Sequence, residues 1–262
     1  MRIMKTHWKT GLLGMIAAVL LSACASPSVQ HEATQPSNSI QTAARSERLG
    51  TGWGDEVDSR VSRVHLRRTS ATPIDETAIR YANKTYQGRS INSIALAAGK
   101  IELSVRSDRR ALPLVRDGNH YYLQGQAGQA YQLVYRNRSN DTYEIVASVD
   151  GLDVINGQNA SRQNAGYVLH PHASLVIEGF RKSDTAVASF IFSSPADSYA
   201  ANSAAQAPHN TGIIGTAVYK LYDPQRHTHR RLPRPNPRDE QDGLNTFPAD
   251  NGRNSRYAQP PR

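Results

Sequence analysis

The chain has 262 residues, a formal net charge of +9, 38% hydrophobic residues and a single cysteine. This composition indicates a globular protein with polar extensions, and one cysteine excludes a disulfide within the chain. Zinc-ligand spacings, an RNP-like aromatic run and heptads are all absent from the sequence, so the positive charge does not predict a nucleic-acid partner.

The amino-terminal segment MRIMKTHWKTGLLGMIAAVLLSAC has the organisation of a signal peptide. Three basic residues come first, and an apolar stretch then runs from Gly11 to Leu21. That stretch is shorter than the roughly 20 apolar residues that a permanent transmembrane helix needs. The tetrapeptide Leu21-Ser22-Ala23-Cys24 resembles the lipobox of bacterial lipoproteins.

The lipobox resemblance implies that the Cys24 thiol carries a diacylglyceryl group and that residues 1–23 are removed. The new amino terminus would carry a further fatty acyl chain such as palmitate. Ala25, in place of an aspartate, implies sorting to the outer membrane, facing the periplasm. A buried thiol at Cys24 is the alternative, but the polar run ASPSVQHEATQPSNS that follows cannot bury it.

The mature chain divides into three zones after this signal peptide. Residues 24–52 are rich in Ser, Thr, Gln and Ala, and are predicted to form a flexible tether behind the acylated cysteine. Residues 53–222 carry nearly all the periodic hydrophobicity and are predicted to form one domain. Residues 223–262 contain seven of the fourteen prolines and eight arginines, and are predicted to be a disordered basic tail.

Alternating apolar and polar residues predict strands along most of the domain. Residues 131–135 and 143–149 flank an Asn-rich turn and are predicted to form a hairpin. Further strands are predicted at 59–67, 100–106, 111–116, 119–124, 166–170, 174–181, 186–193 and 212–221. Residues 72–81 are predicted to contain one short helix, because Asp75 and Glu76 suit a first turn. Residues 197–211 predict a loop or a short helical piece.

Many short strands without a βαβ rhythm predict an all-β fold, an antiparallel β-sandwich. The stretches YRNRSNDTYEIVASVDG and GYVLHPHASLVIEGF resemble a recurrent immunoglobulin-like pattern, which implies an Ig-like sandwich. The segments SVDGLDVINGQ, VIEGFRKSD and DSYAAN resemble parts of secreted bacterial proteins to which no role is assigned. Neither resemblance implies an activity.

Metal sites are considered at two histidine pairs and one acidic loop. His170 with His172, and His227 with His229, have the spacing that places side chains on one face of a strand. No further ligands accompany either pair, so exposed histidines in a turn and in the tail are favoured. Asp150, Asp153 and Asn156 could wrap calcium, but the EF-hand order is missing. No metal or cofactor is predicted.

Catalytic motifs are also weak. Gly-x-Ser-x-Gly is absent, and no thiol is free once Cys24 is acylated. Trp53 beside Asp55, Glu56 and Asp58 could serve a glycan-active hydrolase, because two carboxylates and a stacking aromatic suit that reaction. Consecutive acids are more often a solvated entry to a strand, so no catalytic residue is assigned and the chain is predicted not to be an enzyme.

The basic tail is the best candidate for an interaction element within the sequence. Its segment RHTHRRLPRPNPR combines prolines, which favour an extended backbone, with guanidinium groups that bind phosphate and carboxylate. An anionic envelope polymer is the matching partner, and a passive soluble tail is the alternative. The arginines concerned are Arg226, Arg230, Arg231, Arg234 and Arg238.

The sequence therefore predicts a membrane-anchored, non-enzymatic lipoprotein of the cell envelope. Its expected role is an interaction or assembly module, for instance an accessory of a larger envelope machine with a protein partner. Two alternatives stay open. One is a cell-wall or glycan-active hydrolase, and the other is a lipoprotein that binds a small ligand or cation.

Overall fold

A computed structural model describes residues 47–62, 64–205, 208–222 and 257–261. They belong to one of two compact units of the chain, Ser37–Arg262.

The described residues form strands, one short helix and one 3₁₀ turn, numbered here in chain order. The strands are β1 Gly50–Asp58, β2 Arg67–Arg68, β3 Asp75–Ala82, β4 Arg89–Ile91, β5 Ile94–Leu96, β6 Ile101–Ser107, β7 Arg110–Ala111, β8 Leu114–Asp117, β9 His120–Gln124, β10 Ala130–Asn137, β11 Tyr143–Val149, β12 Leu152–Asp153, β13 Tyr167–Leu169, β14 Ser174–Ile177, β15 Gly179–Arg181, β16 Ala186–Ser193 and β17 Ile213–Tyr222. The helix α1 is Tyr199–Asn202, and the 3₁₀ turn is Pro208–Asn210.

The strands form two sheets, which confirms the all-β sandwich. The first sheet has the order β1-β16-β10-β6-β5, with β14, β15 and β7 added at the sides. The second has the order β12-β11-β17-β3-β9-β8-β4, with β13 and β2 added. Among the described strands, β3 and β9 form the one parallel pair. The second sheet is therefore mixed, whereas the sequence predicted antiparallel pairing throughout.

Alternate residues of both sheets meet in one apolar core. Leu103 and Leu133 of the first sheet, and Ile79 and Ile145 of the second, are completely buried in the same cluster. Since successive side chains of a strand point to opposite faces, this alternation is what the period-two pattern predicted. A smaller cluster on the outer face of the second sheet joins Val146, Ala160, Ala217 and Tyr219.

The predicted hairpin is wrong, although both of its strands exist. Strand β10 pairs with β6, β14 and β16 of the first sheet, whereas β11 pairs with β12, β13 and β17 of the second. The turn between them therefore carries the chain from one sheet to the other. Asn137 fixes this turn, because its Nδ2 donates to the carbonyls of Asp141 and His170 and its Oδ1 accepts from Ser139.

Two other predictions for single elements are also wrong. The segment 72–81 is mostly strand β3, not a helix, since Ile79 and Tyr81 alternate with less buried neighbours in the middle of a sheet. Asp75 does not cap a helix, and its carboxylate accepts from the Ala97 backbone amide. Of the predicted strand 59–67, the described residues before Arg67 have no strand structure.

The remaining predicted strands are found, in some cases divided. Those at 100–106, 119–124, 186–193 and 212–221 agree with β6, β9, β16 and β17 to within one residue at every end. The predicted strand 174–181 is interrupted at Glu178 and forms β14 and β15. The segment 197–211 contains α1 and the 3₁₀ turn. None of the helices in the described ranges is long and apolar enough to span a bilayer.

Candidate functional site

The chain crosses one open side of the sandwich without pairing to either sheet. Between β1 and β2 it runs through residues 59–66, of which all but residue 63 are described, and we call this segment the strap. The strap begins with hydrogen bonds from the Ser59 and Val61 amides to the Thr185 and Asp184 carbonyls. It ends at β2, which pairs with the last two residues of β17. The strap thus links the first sheet to the second.

A cavity of about 860 Å³, which we call the side cleft, lies beside the strap. The edges of both sheets border it at β13 and β14, which pair among the described strands only with β11 and β10 respectively. Its apolar lining residues include Val61, Val64, Leu66, Tyr167, Leu175 and Leu221. Val64 is 48% exposed and Leu66 is 38% exposed, so large apolar side chains face solvent at the side cleft.

A buried arginine connects the strap to the wall of the side cleft. Arg181 is only 3% exposed, and its guanidinium donates to the Tyr167 hydroxyl at 2.8 Å. It also donates to the Ser59 carbonyl at 2.7 Å, to the Ser59 hydroxyl at 2.9 Å and to the Ser183 carbonyl at 3.2 Å. These hydrogen bonds from one planar guanidinium group fix the start of the strap against β13.

Carboxylates also line the side cleft. Asp153 is buried, and its Oδ1 accepts from the Ile155 and Asn156 amides at 2.9 Å each. Burial raises the pKa of Asp153 to about 6, and these hydrogen bonds offset part of the rise that burial causes. Glu144 is paired with Arg68 at 2.6 Å. The site therefore offers acceptors and donors together, which suits the backbone and side chains of a peptide as well as a polar small molecule.

A second polar cluster lies inside the core between the sheets. The Asp150 carboxylate accepts from the Thr51 amide at 2.6 Å, the Tyr81 hydroxyl at 2.6 Å and the Gly212 amide at 2.8 Å. The Thr51 hydroxyl is hydrogen-bonded to Tyr81 at 2.7 Å and to Tyr131 at 2.6 Å. Burial raises the pKa of Asp150 to about 6. This cluster joins strands of both sheets, and it is structural.

The calcium and histidine hypotheses gain no support from these positions. Both oxygens of Asp150 and the Oδ1 of Asp153 accept from backbone amides, and Asp150 with Gly151 forms a tight turn with φ of 54° and 76°. His170 and His172 lie at the turn after β13, as the favoured interpretation predicted. No three His, Cys, Asp or Glu side chains within the described ranges could together hold a metal ion.

The residues considered for a hydrolase do not line the side cleft. The Trp53 ring packs against Tyr199, with centroids 4.8 Å apart, and stacks on Phe180 at 6.3 Å. Trp53 is half-buried and packs against the core through these rings. Asp55 and Asp58 are exposed, and Glu56 is paired with Lys182.

The predicted lipidation site Cys24 and the five tail arginines considered for an anionic partner lie outside the described residues. These are Arg226, Arg230, Arg231, Arg234 and Arg238; His227 and His229 lie there too. The described residues 257–261, at the end of the predicted tail, lie against the domain. Sequence reasoning missed the strap and Arg181. The one available signal in the sequence was the position of Arg181, a charged residue that ends the largely apolar predicted strand 174–181.

Comparisons of this chain with protein-family models, with curated proteins and with solved structures find no match.

Proposed function

We propose that this protein is a lipid-anchored, non-enzymatic binding module of the bacterial cell envelope. The lipobox-like sequence that ends at Cys24 supports the anchor and a position at the outer membrane, facing the periplasm. Three acyl chains would make that attachment effectively permanent, because each buried methylene adds about 0.8 kcal/mol of membrane affinity. The folded domain then acts at the membrane surface on a partner of the same compartment.

The side cleft is the surface that we assign to this binding, and its occupant is an extended segment of an envelope protein. Exposed Val64 and Leu66 beside a concave site are the observation on which this assignment rests. Exposed apolar side chains grouped at one place mark interaction surfaces in soluble domains. The edges of β13 and β14 add backbone donors and acceptors to which an extended segment can pair.

A small polar ligand is the second candidate, and the size of the side cleft favours it. Its volume of about 860 Å³ lies within the range of small-molecule sites, roughly 300–1,000 Å³. Arg181 and Asp153 provide groups that would orient such a ligand. Binding of a protein segment should depend on Val64 more strongly than binding of a small molecule does. An exposed residue contributes to a protein interface, whereas a small ligand would lie deeper in the side cleft.

The binding surface is tested by matched substitutions of exposed apolar residues. Val64→Asp places a charge at the side cleft, and Ile74→Asp places one at a residue that is 46% exposed elsewhere on the domain. We expect Val64→Asp to weaken partner binding by about tenfold or more, since burying an unpaired charge at an interface is costly. Ile74→Asp should bind like the wild type.

The measurement is quantitative co-purification of envelope proteins with the acylated protein from solubilised membranes. Equal recovery of every partner with Val64→Asp and with the wild type would disprove the assignment of protein binding to the side cleft. Unchanged recovery with both variants, together with saturable binding of a small molecule, would favour the second candidate.

A further inference from the structure

The described residues 257–261 occupy a groove that has the features of a peptide-binding site. The Ala258 amide donates to the carbonyls of Ile155 and Arg181, both at 2.9 Å. The Tyr199 hydroxyl donates to the Gln259 carbonyl at 2.6 Å, and the Tyr257 hydroxyl contacts Asp184. Backbone hydrogen bonds of this kind are how extended peptides are held by recognition domains. We call this site the terminal groove.

The terminal groove also selects side chains by size. Ala258 is 2% exposed, whereas Gln259 and Pro260 are exposed. A Cβ atom at Gly157 would lie 2.8 Å from the Ala258 Cβ and 2.5 Å from the Tyr199 hydroxyl, so a glycine is needed for the alanine to fit. A side chain larger than a methyl group at position 258 would meet the same surface. The groove therefore combines backbone recognition with a pocket for one small residue.

The segment 257–261 is separated from the end of β17 by residues 223–256. A chain of that length can span on the order of 100 Å when extended, at about 3.3 Å per residue. The connection is therefore long enough for the same segment to reach the terminal groove of a neighbouring molecule. Exchange of identical elements between copies is a low-cost route to association, because it requires no new interface.

We propose that the terminal groove is a recognition site for the segment Tyr257-Ala258-Gln259-Pro260, and that it accepts this segment from a second copy of the chain. Within one molecule the linked segment competes with any incoming one, because tethering gives it a high effective concentration. The terminal groove is thus filled by its own chain end at low protein concentration. A high local concentration of the protein favours exchange of the segment between two copies. This inference does not depend on the function proposed for the side cleft.

The test uses the full-length chain and a labelled peptide of residues 254–262, with binding followed by fluorescence anisotropy. Ala258→Arg in the chain should expel its own segment, and the emptied terminal groove should then bind the wild-type peptide. The wild-type chain should bind the peptide at least tenfold more weakly, and an Ile74→Arg chain, changed at an exposed residue outside the terminal groove, should behave like the wild type. The peptide with Ala258→Arg should not bind any of the three chains.

A folded Ala258→Arg chain that does not bind the wild-type peptide would overturn the proposal, and so would equal binding of the wild-type and Ala258→Arg peptides. If Ala258→Arg prevents folding, the wild-type chain is used with excess peptide carrying a photoreactive group at position 257. Cross-links should then map beside Asp184. Cross-links elsewhere, or equal cross-linking by the Ala258→Arg peptide, would contradict the proposed site.

Discussion

The Thr51 hydroxyl lies in the completely buried centre of the sandwich, between two tyrosine hydroxyls. Tyr81 belongs to the second sheet and Tyr131 to the first, so this one side chain joins polar groups of both sheets. The Thr51 amide is bonded to Asp150, which extends the network to the turn after β11. Buried polar groups of this kind stabilise a fold only when every member has a partner.

Thr51→Val should lower the free energy of unfolding by about 1–3 kcal/mol. Valine keeps the shape of threonine but removes the hydroxyl, which leaves each tyrosine hydroxyl with one partner fewer in a dry core. Urea unfolding followed by circular dichroism measures the change. Thr77→Val on β3 is the matched control and should change stability by less than about 0.5 kcal/mol. Equal effects of the two substitutions would contradict the role of the network.

Two buried carboxyls predict an unusual pH dependence of stability. Burial raises the pKa of both Asp150 and Asp153 from 3.8 to about 6. A raised pKa means that the folded state holds the proton more tightly, so the stability gained from protonation is lost as pH rises through 6. Burial opposes the ionisation of Asp141, but Lys220 and Lys100 lower its pKa overall. Its contribution to the free energy of unfolding is therefore almost constant above pH 4.5.

We therefore expect the domain to be more stable at pH 4.5 than at pH 7, by about 2 kcal/mol for each of the two carboxyls. Asp153→Asn keeps Oδ1 as the acceptor for two backbone amides but does not titrate. It should therefore remove about half of the difference. Urea unfolding at several pH values tests this. A wild-type stability that rises from pH 4.5 to pH 7 would show that these carboxyls are not held as described.

At the scale of elements, the alternating pattern predicts which residues form strands but not which strands pair. The segments 131–135 and 143–149 satisfy every local condition for a hairpin, and they nevertheless lie in different sheets. The period-two pattern shows that each strand has one buried face. That face is buried equally well when the two strands form a hairpin in one sheet and when they lie in different sheets. The turn that carries the chain from one sheet to the other is held by Asn137, whose side chain donates to the carbonyls of Asp141 and His170. His170 is distant in sequence, so local turn chemistry does not reveal this contact.

Strand β15 lies so close to β16 that only glycine fits at its first position. A Cβ atom at Gly179 would lie 1.8 Å from the Ala188 carbonyl oxygen, which is backbone and cannot rotate away. Gly179→Ala should therefore destabilise the domain by several kcal/mol, because the two strands must separate. Thermal unfolding of Gly179→Ala is compared with that of Gly52→Ala, whose Cβ atom would approach the nearest side chain to an ordinary 3.4 Å.

Gly52→Ala should remain close to the wild type in stability. A Gly179→Ala protein with an unchanged unfolding temperature would show that β15 and β16 are not paired in this register. Because β15 carries Arg181, such a result would also remove the support of the strap.

For the molecule as a whole, the sandwich was predictable and the side cleft was not. The strap sequence contains Val61, Val64 and Leu66, which are the apolar residues that suggested a strand. These residues line the side cleft and do not pair with a sheet. A hydrophobic pattern shows that side chains favour an apolar environment, but it does not specify whether the core, another element or a partner provides it.

The proposed function is that of an anchored domain that binds an envelope protein through the side cleft. Its most direct test is photo-cross-linking in cells, with a photoreactive amino acid at position 64 or at position 74, in chains that carry Cys24 or Cys24→Ser. We predict a discrete cross-linked envelope protein from position 64 but not from position 74. Membrane attachment and the cross-link should both require Cys24. Identical products from the two positions, or a Cys24→Ser chain that stays acylated and membrane-bound, would contradict the account.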